Sequence, residues 1–166
     1  NAYPPLNFAD PATGEGIGWE YDAVNEIAKR LNAEVEWSLT AWDVMIEAVR
    51  TGQFDVGMDG ITITDERREQ VDFSEPYYIT QQALVAFADS EVTNATSIED
   101  LKGYALGAQI GTTSLDYIEE VIQPDTQAAV YDTNADAKSA LDAGQIDAIV
   151  FDLPTAYYIT AVEMPD

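Results

Sequence analysis

The chain has 166 residues, 46% of them hydrophobic, and carries 31 acidic against 7 basic residues, which gives a formal net charge of −24. This length and apolar content allow one large core or two small ones. The sequence contains no cysteine and no histidine. Disulfides, thiolate or imidazole metal sites and a Ser-His-Asp triad are therefore excluded. The acidic balance argues against nucleic acid as a partner, because binding phosphates requires a basic face.

The acidic residues are scattered along the chain, as in EVEW and SIEDL, and do not form a tail. A block of like charge would indicate a disordered segment, whereas a dispersed excess on a well-patterned chain predicts a solvated acidic surface. Self-repulsion at this net charge destabilises the compact state unless salt screens it. We therefore predict a salt-adapted (halophilic) source. The alternative is an ordinary acidic protein with weak calcium sites, although the chain has no EF-hand loop pattern.

Helix and strand patterns alternate along the chain. Apolar residues at helical spacing predict a first helix that ends near Asn32 and a second that stops at Gly52. Further predicted helices cover 64–71, 97–103, 114–122, 134–143 and the segment that starts at 152–154. Predicted strands or extended runs cover 34–40, 54–58, 77–87, 104–109, 128–132 and 146–152. Alternation of this density predicts an α/β fold with largely parallel sheets.

In such sheets, ligands bind beyond the carboxyl ends of the strands. Those ends fall at 59–60, 109–113 and 151–152. A short internal similarity suggests two α/β units of similar construction, since AVRTGQFDV at 48–56 matches ALDAGQIDA at 140–148 in pattern.

The adjacent arginines Arg67 and Arg68 lie in the first turn of a predicted helix capped by Thr64. A cation at this position opposes the helix dipole by about 0.3–1 kcal/mol. The position of Arg67 makes sense if its guanidinium binds an anion, since its planar fork matches a carboxylate. The alternative is a surface ion pair with a neighbouring acid, and Arg68 is expected to face solvent.

A second turn with anion-binding potential lies at QIGTTSLD, 109–116. Gly111 permits a tight turn, and Thr113 or Ser114 is the predicted N-cap, with Asp116 completing a capping box for Thr113. Backbone N–H groups at such a helix start can hold a carboxylate. Capping alone also explains the pattern, which is not a phosphate-binding loop.

Five segments together carry a resemblance to a known family. They are YPPLNF at 3–8, GWEYDAVNEIAKRLN at 18–32, the stretch 42–78 that ends in ITITDERREQVDFSEPYY, SIEDLKGYALGAQIGTTSLDYIEE at 97–120 and LDAGQIDAIVFDLPTAYY at 141–158. The chain resembles an extracellular solute-binding protein of the polar amino-acid family. The resemblance implies an α/β fold of the two-lobed, type II periplasmic-binding-protein kind, each lobe a mostly parallel sheet flanked by helices. Lobe one would cover 1–79, and the hinge strand with lobe two would cover 80–166. Both lobes are expected to be incomplete, with the chain truncated at both ends.

The resemblance also implies a function. The protein would be a receptor that delivers an amino acid to the membrane permease of an ATP-driven importer, with no catalytic residue, cofactor or metal. It would bind the zwitterion between the lobes as the hinge closes. It would be extracytoplasmic, in the periplasm or at the cell surface, anchored through an N-terminal lipid or signal segment. Two alternatives stay open, which are the ligand-sensing domain of a signalling receptor and a dehydratase-like enzyme on the same fold.

The same resemblance assigns residues to the common part of an amino-acid ligand. Arg67 would bind the ligand carboxylate, with Thr62 adding its hydroxyl and backbone N–H and Thr113 a backbone N–H. Asp152 would bind the α-ammonium group, aided by the backbone carbonyl of Gly60. The alternative for Asp152 is a plain N-cap ahead of the last helix.

A further set of residues would contact the ligand side chain. Tyr3 and Trp42 match aromatic positions that sandwich it, although both could be ordinary core aromatics. Asp59, if it faces the ligand, favours a cationic side chain, and its alternative is an acid turned to solvent. Gln109 could hydrogen-bond a polar side chain, and Phe151 could line the pocket. A basic or polar amino acid is the expected ligand.

Overall fold

The structure of the chain is a computed structural model and describes residues 2–164. The chain divides into two compact units, Asn1–Ile79 and Thr80–Asp166.

The first unit is mainly helical. Its elements are the strands β1 (Phe8–Ala9) and β2 (Gly16–Ile17) and the helices α1 (Trp19–Leu31), α2 (Trp42–Arg50) and α3 (Asp65–Arg68). The two strands pair antiparallel. Helix α1 ends at Asn32, whose left-handed backbone (φ 52°) lets its N–H bond the carbonyls of the last turn. The predicted ends of the first two helices are confirmed, since α2 stops before Gly52, which has φ 76°.

The strands predicted at 34–40 and 54–58 are not strands in this unit, and these predictions are wrong. A strand is defined by its partner, and period-2 patterning shows only that one face is apolar. Here the apolar residues of that pattern stay uncovered, with Leu39 86% and Val56 75% exposed.

The second unit is built on a four-stranded sheet. Its strands are β3 (Gln82–Val85), β4 (Leu106–Gln109), β5 (Ala129–Tyr131) and β6 (Ala148–Asp152), in the order β3-β6-β4-β5. Strand β4 is parallel to both of its neighbours, whereas β3 is antiparallel to β6. Of the extended run predicted at 77–87, only β3 pairs into the sheet.

Helices cover this sheet. They are α4 (Thr113–Asp116), which continues as a π-helical segment Tyr117–Ile122, α5 (Asn134–Asp142), and α6 (Leu153–Tyr158), which continues as a second π-helical segment Ile159–Glu163. Two short 3-10 helices, Glu91–Asn94 and Glu99–Leu101, precede β4. Strands β4 and β6 are buried along their whole length, as expected for central strands with both faces covered. Their side chains join one apolar core with Ile118 and Ile122.

The capped turn predicted at 97–103 is confirmed. Asp100 Oδ2 accepts hydrogen bonds from the backbone N–H groups of Thr96 and Ser97, both at 2.9 Å. Ser97 Oγ accepts in return from the N–H of Asp100 at 3.3 Å. These bonds, led by the one from the Thr96 N–H, hold the pKa of Asp100 below its ordinary value.

Candidate functional site

The guanidinium of Arg67 lies among residues that the sequence assigned to the same site. Its Nη1 donates to the backbone carbonyl of Thr62 at 2.9 Å, and its Cζ lies 5.5 Å from the centroid of the Trp42 ring. Its backbone N–H donates to Thr64 Oγ1 at 3.1 Å, which confirms Thr64 as the N-cap of α3. Arg67 is half-buried, whereas Arg68 is exposed. The Arg67 side chain therefore turns back along the chain to Thr62. The Thr62 carbonyl and the face of the Trp42 ring orient its guanidinium, and neither group carries a net negative charge.

Gly60 brings the 60–62 segment against the ring of Tyr3. Its φ of +59° lies in the left-handed region, and an ideal Cβ there would lie 2.9 Å from Leu6 Cδ1 and 3.1 Å from Tyr3 Cδ1. Both the backbone conformation and the space require glycine. The structure thus places Tyr3 beside the backbone that precedes Thr62.

Asp59 belongs to a buried network of polar side chains in the first unit. It is 5% exposed, and its Oδ1 accepts from Asn7 Nδ2 at 2.6 Å. The same nitrogen donates to Glu20 Oε2 at 2.7 Å, and Glu20 is 2% exposed. The other oxygen of Glu20 accepts from the backbone N–H of Gly60 and from the hydroxyl of Tyr77, both at 3.0 Å. The alternative of a solvent-facing Asp59 is therefore wrong.

The hydroxyl of Tyr77 acts as a donor in this network. The Tyr77 residue is 52% exposed, but partial burial at its hydroxyl, followed by the negative charges of Glu20 and Asp59, raises the pKa of Tyr77 above its ordinary value. The phenol therefore stays protonated. The sequence did not single out Asn7, Glu20 or Tyr77. An acid such as Glu20 in a first helical turn is ordinarily explained by the helix dipole.

Asp152 of the second unit is held by a residue that the sequence did not single out. Gln82 Nε2 donates to Asp152 Oδ1 at 2.9 Å, and the two residues are direct partners in the β3–β6 register. Gln82 Oε1 accepts from Ser114 Oγ at 2.6 Å, and Nε2 also lies 3.5 Å from Thr113 Oγ1. Gln82 thus connects the ends of β3 and β6 to the start of α4. The signal for it in the sequence is the polar stretch 80–82, which interrupts an apolar run and does not distinguish Gln82 from Gln81.

The side chain of Asp152 does not cap α6. Asp152 occupies the N-cap position with an extended backbone, yet its carboxylate makes no hydrogen bond to the first turn of the helix. Pro154 in that turn has no N–H to offer. The alternative of a plain N-cap is therefore wrong, and the Asp152 carboxylate, 8% exposed, instead accepts from Gln82.

The N-cap of α4 is Thr112, one residue earlier than predicted. Thr112 Oγ1 accepts from the N–H of Leu115 at 3.2 Å and donates to the carbonyl of Gln109 at 2.7 Å. Three consecutive hydroxyl residues make the cap ambiguous in the sequence, and the extended backbone of Thr112 (ψ 153°) decides it. Thr113 is the first helical residue, with Ser114 after it.

Gln109 and Phe151 lie within the second unit's interior. Gln109 is 3% exposed, and its Nε2 donates to the carbonyl of Asp132 at 2.9 Å, which ties the end of β4 to the residue after β5. Phe151 is 2% exposed in β6. Gln109 therefore has a structural partner, and its contact with a ligand side chain stays a prediction.

Two features are absent from the described part of the chain. Within residues 2–164, no group of three or more acidic side chains is arranged to hold a metal ion. No helix in the same range is both long and apolar enough to cross a membrane.

Comparison with known proteins identifies the family. The model of the bacterial extracellular solute-binding proteins, family 3, matches residues 1–151, and the chain belongs to this family. The predicted family and α/β fold class are confirmed. A probable histidine-binding protein of Campylobacter jejuni is 32% identical over 157 residues, 93% of this chain and 58% of the relative. ABC transporter arginine-binding protein 1 of Escherichia coli is 32% identical over 150 residues, 90% of this chain and 59% of the relative.

A solved structure agrees with these relatives. An ancestral arginine-binding protein bound to glutamine superposes with a TM-score of 0.88 at 35% identity, covering 96% of this chain and 69% of that one. The chain spans somewhat more than half the length of the two curated relatives, 58% and 59%.

Proposed function

We propose that this protein is a receptor that binds an amino acid outside the cytoplasmic membrane and delivers it to the permease of an ATP-driven importer. The observation that carries the proposal is the guanidinium of Arg67, held at the Thr62 carbonyl and over the Trp42 ring. A half-buried, oriented arginine fork is suited to a carboxylate. Membership of a family of extracellular solute-binding proteins supports the same function.

The ligand is proposed to bind as a zwitterion. Its carboxylate pairs with Arg67, with Thr62 and the Thr113 N–H as further donors, and its ammonium group pairs with Asp152 and the Gly60 carbonyl. The buried carboxylate of Asp152 supports this assignment, because a buried charge is stabilised by an opposite one. Binding takes place without turnover, in line with relatives that are named as binding proteins.

A basic or polar amino acid is the proposed ligand class. Two relatives are named for binding histidine and arginine, and a third protein of similar structure is an arginine-binding protein with glutamine bound. The buried Asp59 beside Gly60 supports a cationic side chain, because a nearby positive charge favours the ionised form of a buried carboxyl. Tyr3 and Trp42 would contact the apolar part of that side chain.

Calorimetric titration of the purified full-length protein with L-arginine, L-glutamine and L-glutamate, in high salt, tests this proposal. We expect L-arginine to bind best and L-glutamate worst. A preference for L-glutamate would contradict the role of Asp59 but not the function. If no amino acid binds to a protein that melts cooperatively, the receptor function is wrong.

Two further parts of the proposal concern the cell. The importer permease is the proposed partner, supported by a relative named as an ABC transporter binding protein. Attachment to the outer face of the membrane is proposed with it, and separation of membrane and soluble fractions of the source cells tests that attachment.

A further inference from the structure

We infer that Gln82 is a positioning residue that sets the orientation of the Asp152 carboxylate without neutralising its negative charge. This inference rests on the proposed function, since it concerns how the proposed ammonium-binding group is held. It starts from the antiparallel register, which places Gln82 directly opposite Asp152 across β3 and β6. Side chains of directly paired residues lie on the same face of a sheet and meet there.

The orientation of the Gln82 amide follows from its partners. An ionised carboxylate only accepts hydrogen bonds, so the amide nitrogen must face Asp152, at 2.9 Å. The amide oxygen then faces Ser114, whose hydroxyl donates to it at 2.6 Å. Ser114 is itself 6% exposed. Both ends of the amide are therefore fixed by a buried partner, and the flipped orientation would set the Gln82 oxygen against the carboxylate.

The choice of a neutral donor matters for binding. A buried carboxylate needs hydrogen bonds to offset the loss of water. A lysine or arginine at position 82 would supply them but would also neutralise Asp152 and compete with the ligand ammonium group. The amide of Gln82 donates without adding charge. Asp152 makes no bond to the first turn of α6 either, so helix capping does not set its orientation.

Gln82 also reaches the start of α4. Its nitrogen lies 3.5 Å from Thr113 Oγ1, and its oxygen accepts from Ser114. Within the second unit, one side chain thus contacts the residue proposed for the ligand ammonium and the turn proposed for the ligand carboxylate. Loss of Gln82 should therefore weaken binding through Asp152, without any contact between Gln82 and the ligand.

The test compares Gln82→Met and Gln82→Glu with the same substitutions at Gln81, an exposed neighbour that directly precedes β3. Titrations of the full-length protein use L-arginine and L-glutamine as probes. The Gln82→Met substitution keeps the length of the side chain and removes its hydrogen bonds with Asp152, Ser114 and Thr113, and we expect about a 10- to 100-fold loss of affinity. Gln81→Met should bind within about twofold of the wild type.

The pH dependence of ligand affinity in Gln82→Glu separates the proposed role from a packing role, because packing alone would not make the affinity depend on pH. At about pH 7 the introduced carboxylate would face Asp152, and the repulsion raises the pKa of the pair. The groups that face position 82 from α4 are the hydroxyls of Thr113 and Ser114, which do not titrate in this range. Lowering the pH to about 5 adds a proton to the pair, so that the introduced carboxyl group can donate to Asp152 and affinity recovers. Wild type and Gln81→Glu should show no such recovery.

A double-mutant cycle with Asp152→Asn completes the test. If Gln82 acts through Asp152, adding Gln82→Met to Asp152→Asn should cost little more than Asp152→Asn alone. Full additivity, wild-type affinity in Gln82→Met, or a flat pH profile in Gln82→Glu would each overturn the inference while leaving the receptor function intact. If Gln82→Met fails to fold, the pH profile of Gln82→Glu decides. If the wild type binds no amino acid at all, the receptor function and this inference fall together.

Discussion

The guanidinium carbon of Arg67 lies 5.5 Å from the centre of the Trp42 ring, while its Nη1 donates to the carbonyl of Thr62. A cation over an aromatic face is attracted by the negative ring quadrupole. Arg67 therefore has favourable contacts outside its own short helix, in whose last turn it lies. Trp42 begins α2 and Thr62 precedes α3, so the relationship joins three segments of the first unit.

The paired arginines offer a matched comparison. Arg67→Ala should weaken amino-acid binding by about 100-fold or more, because the proposed charge-assisted, bidentate partner of the ligand carboxylate is lost. The affinity of Arg67→Lys should lie between those of the wild type and Arg67→Ala, since a lysine keeps the charge but not the planar fork. Arg68→Ala, one residue away and exposed, should bind like the wild type. Calorimetric titration measures all three, and equal losses at both positions would show that only general charge matters.

Gly60→Ala should destabilise the fold by about 1–3 kcal/mol, because a side chain is strained at positive φ and overpacks the site. The added methyl would meet Leu6 and the Tyr3 ring. The control is Gly103→Ala, where a Cβ meets nothing within 4 Å. Chemical denaturation gives the free energy of unfolding of both variants. An unchanged free energy of unfolding in Gly60→Ala would contradict the close approach of Tyr3 to Gly60.

Glu20→Ala should lower the free energy of unfolding by about 2–4 kcal/mol, because it removes the acceptor of one buried and two partly buried hydrogen bonds. The donors are the Gly60 N–H, the Tyr77 hydroxyl and one N–H of Asn7. Glu20→Gln should cost less, since its amide oxygen can still accept from Gly60 and Tyr77. The comparison variant Glu26→Ala removes an exposed ion-paired acid and should change stability by less than about 1 kcal/mol. A more stable Glu20→Ala would mean that repulsion between Glu20 and Asp59 outweighs the lost hydrogen bonds.

Asp100 gives a prediction for the dependence of stability on pH. Its pKa is lowered in the folded state, chiefly by the Thr96 N–H. Its contribution is therefore fully present above the unfolded pKa of about 3.9 and is lost as pH falls through the lower folded value. Asp100→Asn should lower the melting temperature at neutral pH, and the difference from the wild type should shrink in acid. The control Asp89→Asn removes one exposed charge outside the capped turn. A difference for Asp100→Asn that grows in acid would contradict the assignment.

Salt should stabilise this protein strongly. With a net charge of −24, surface repulsion is weakly screened at about 0.1 M salt, where the Debye length is about 10 Å. We expect loss of the folded state there and a melting temperature that rises steeply toward about 2 M KCl, followed by circular dichroism. Sucrose, which favours compact states without screening charge, is the control cosolute. A cooperative melt at low salt, no less stable than at high salt, would contradict halophilic adaptation.

Local signals predicted most of the elements in the second unit. The helix at 134–143 and the strands at 104–109, 128–132 and 146–152 are present, because each carries its own apolar period and its own caps or turns. The strands predicted at 34–40 and 54–58 were wrong, because strand formation depends on a partner that the local sequence does not specify. The N-cap at Thr112 was missed by one residue, since a run of hydroxyl residues offers the same chemistry at each position.

The sequence by itself determined the family and the α/β class, because such motifs are contiguous and depend on local chemistry. The residues assigned to a zwitterionic ligand stay a prediction. The sequence could not determine which groups support them. Asn7 bonds both Asp59 and Glu20, and Tyr77 bonds Glu20, from distant positions in the chain. Gln82 meets Asp152 across 70 residues. Only the tertiary structure decided these partners, because burial and hydrogen-bond geometry arise from how the chain packs and leave no periodic trace in its sequence.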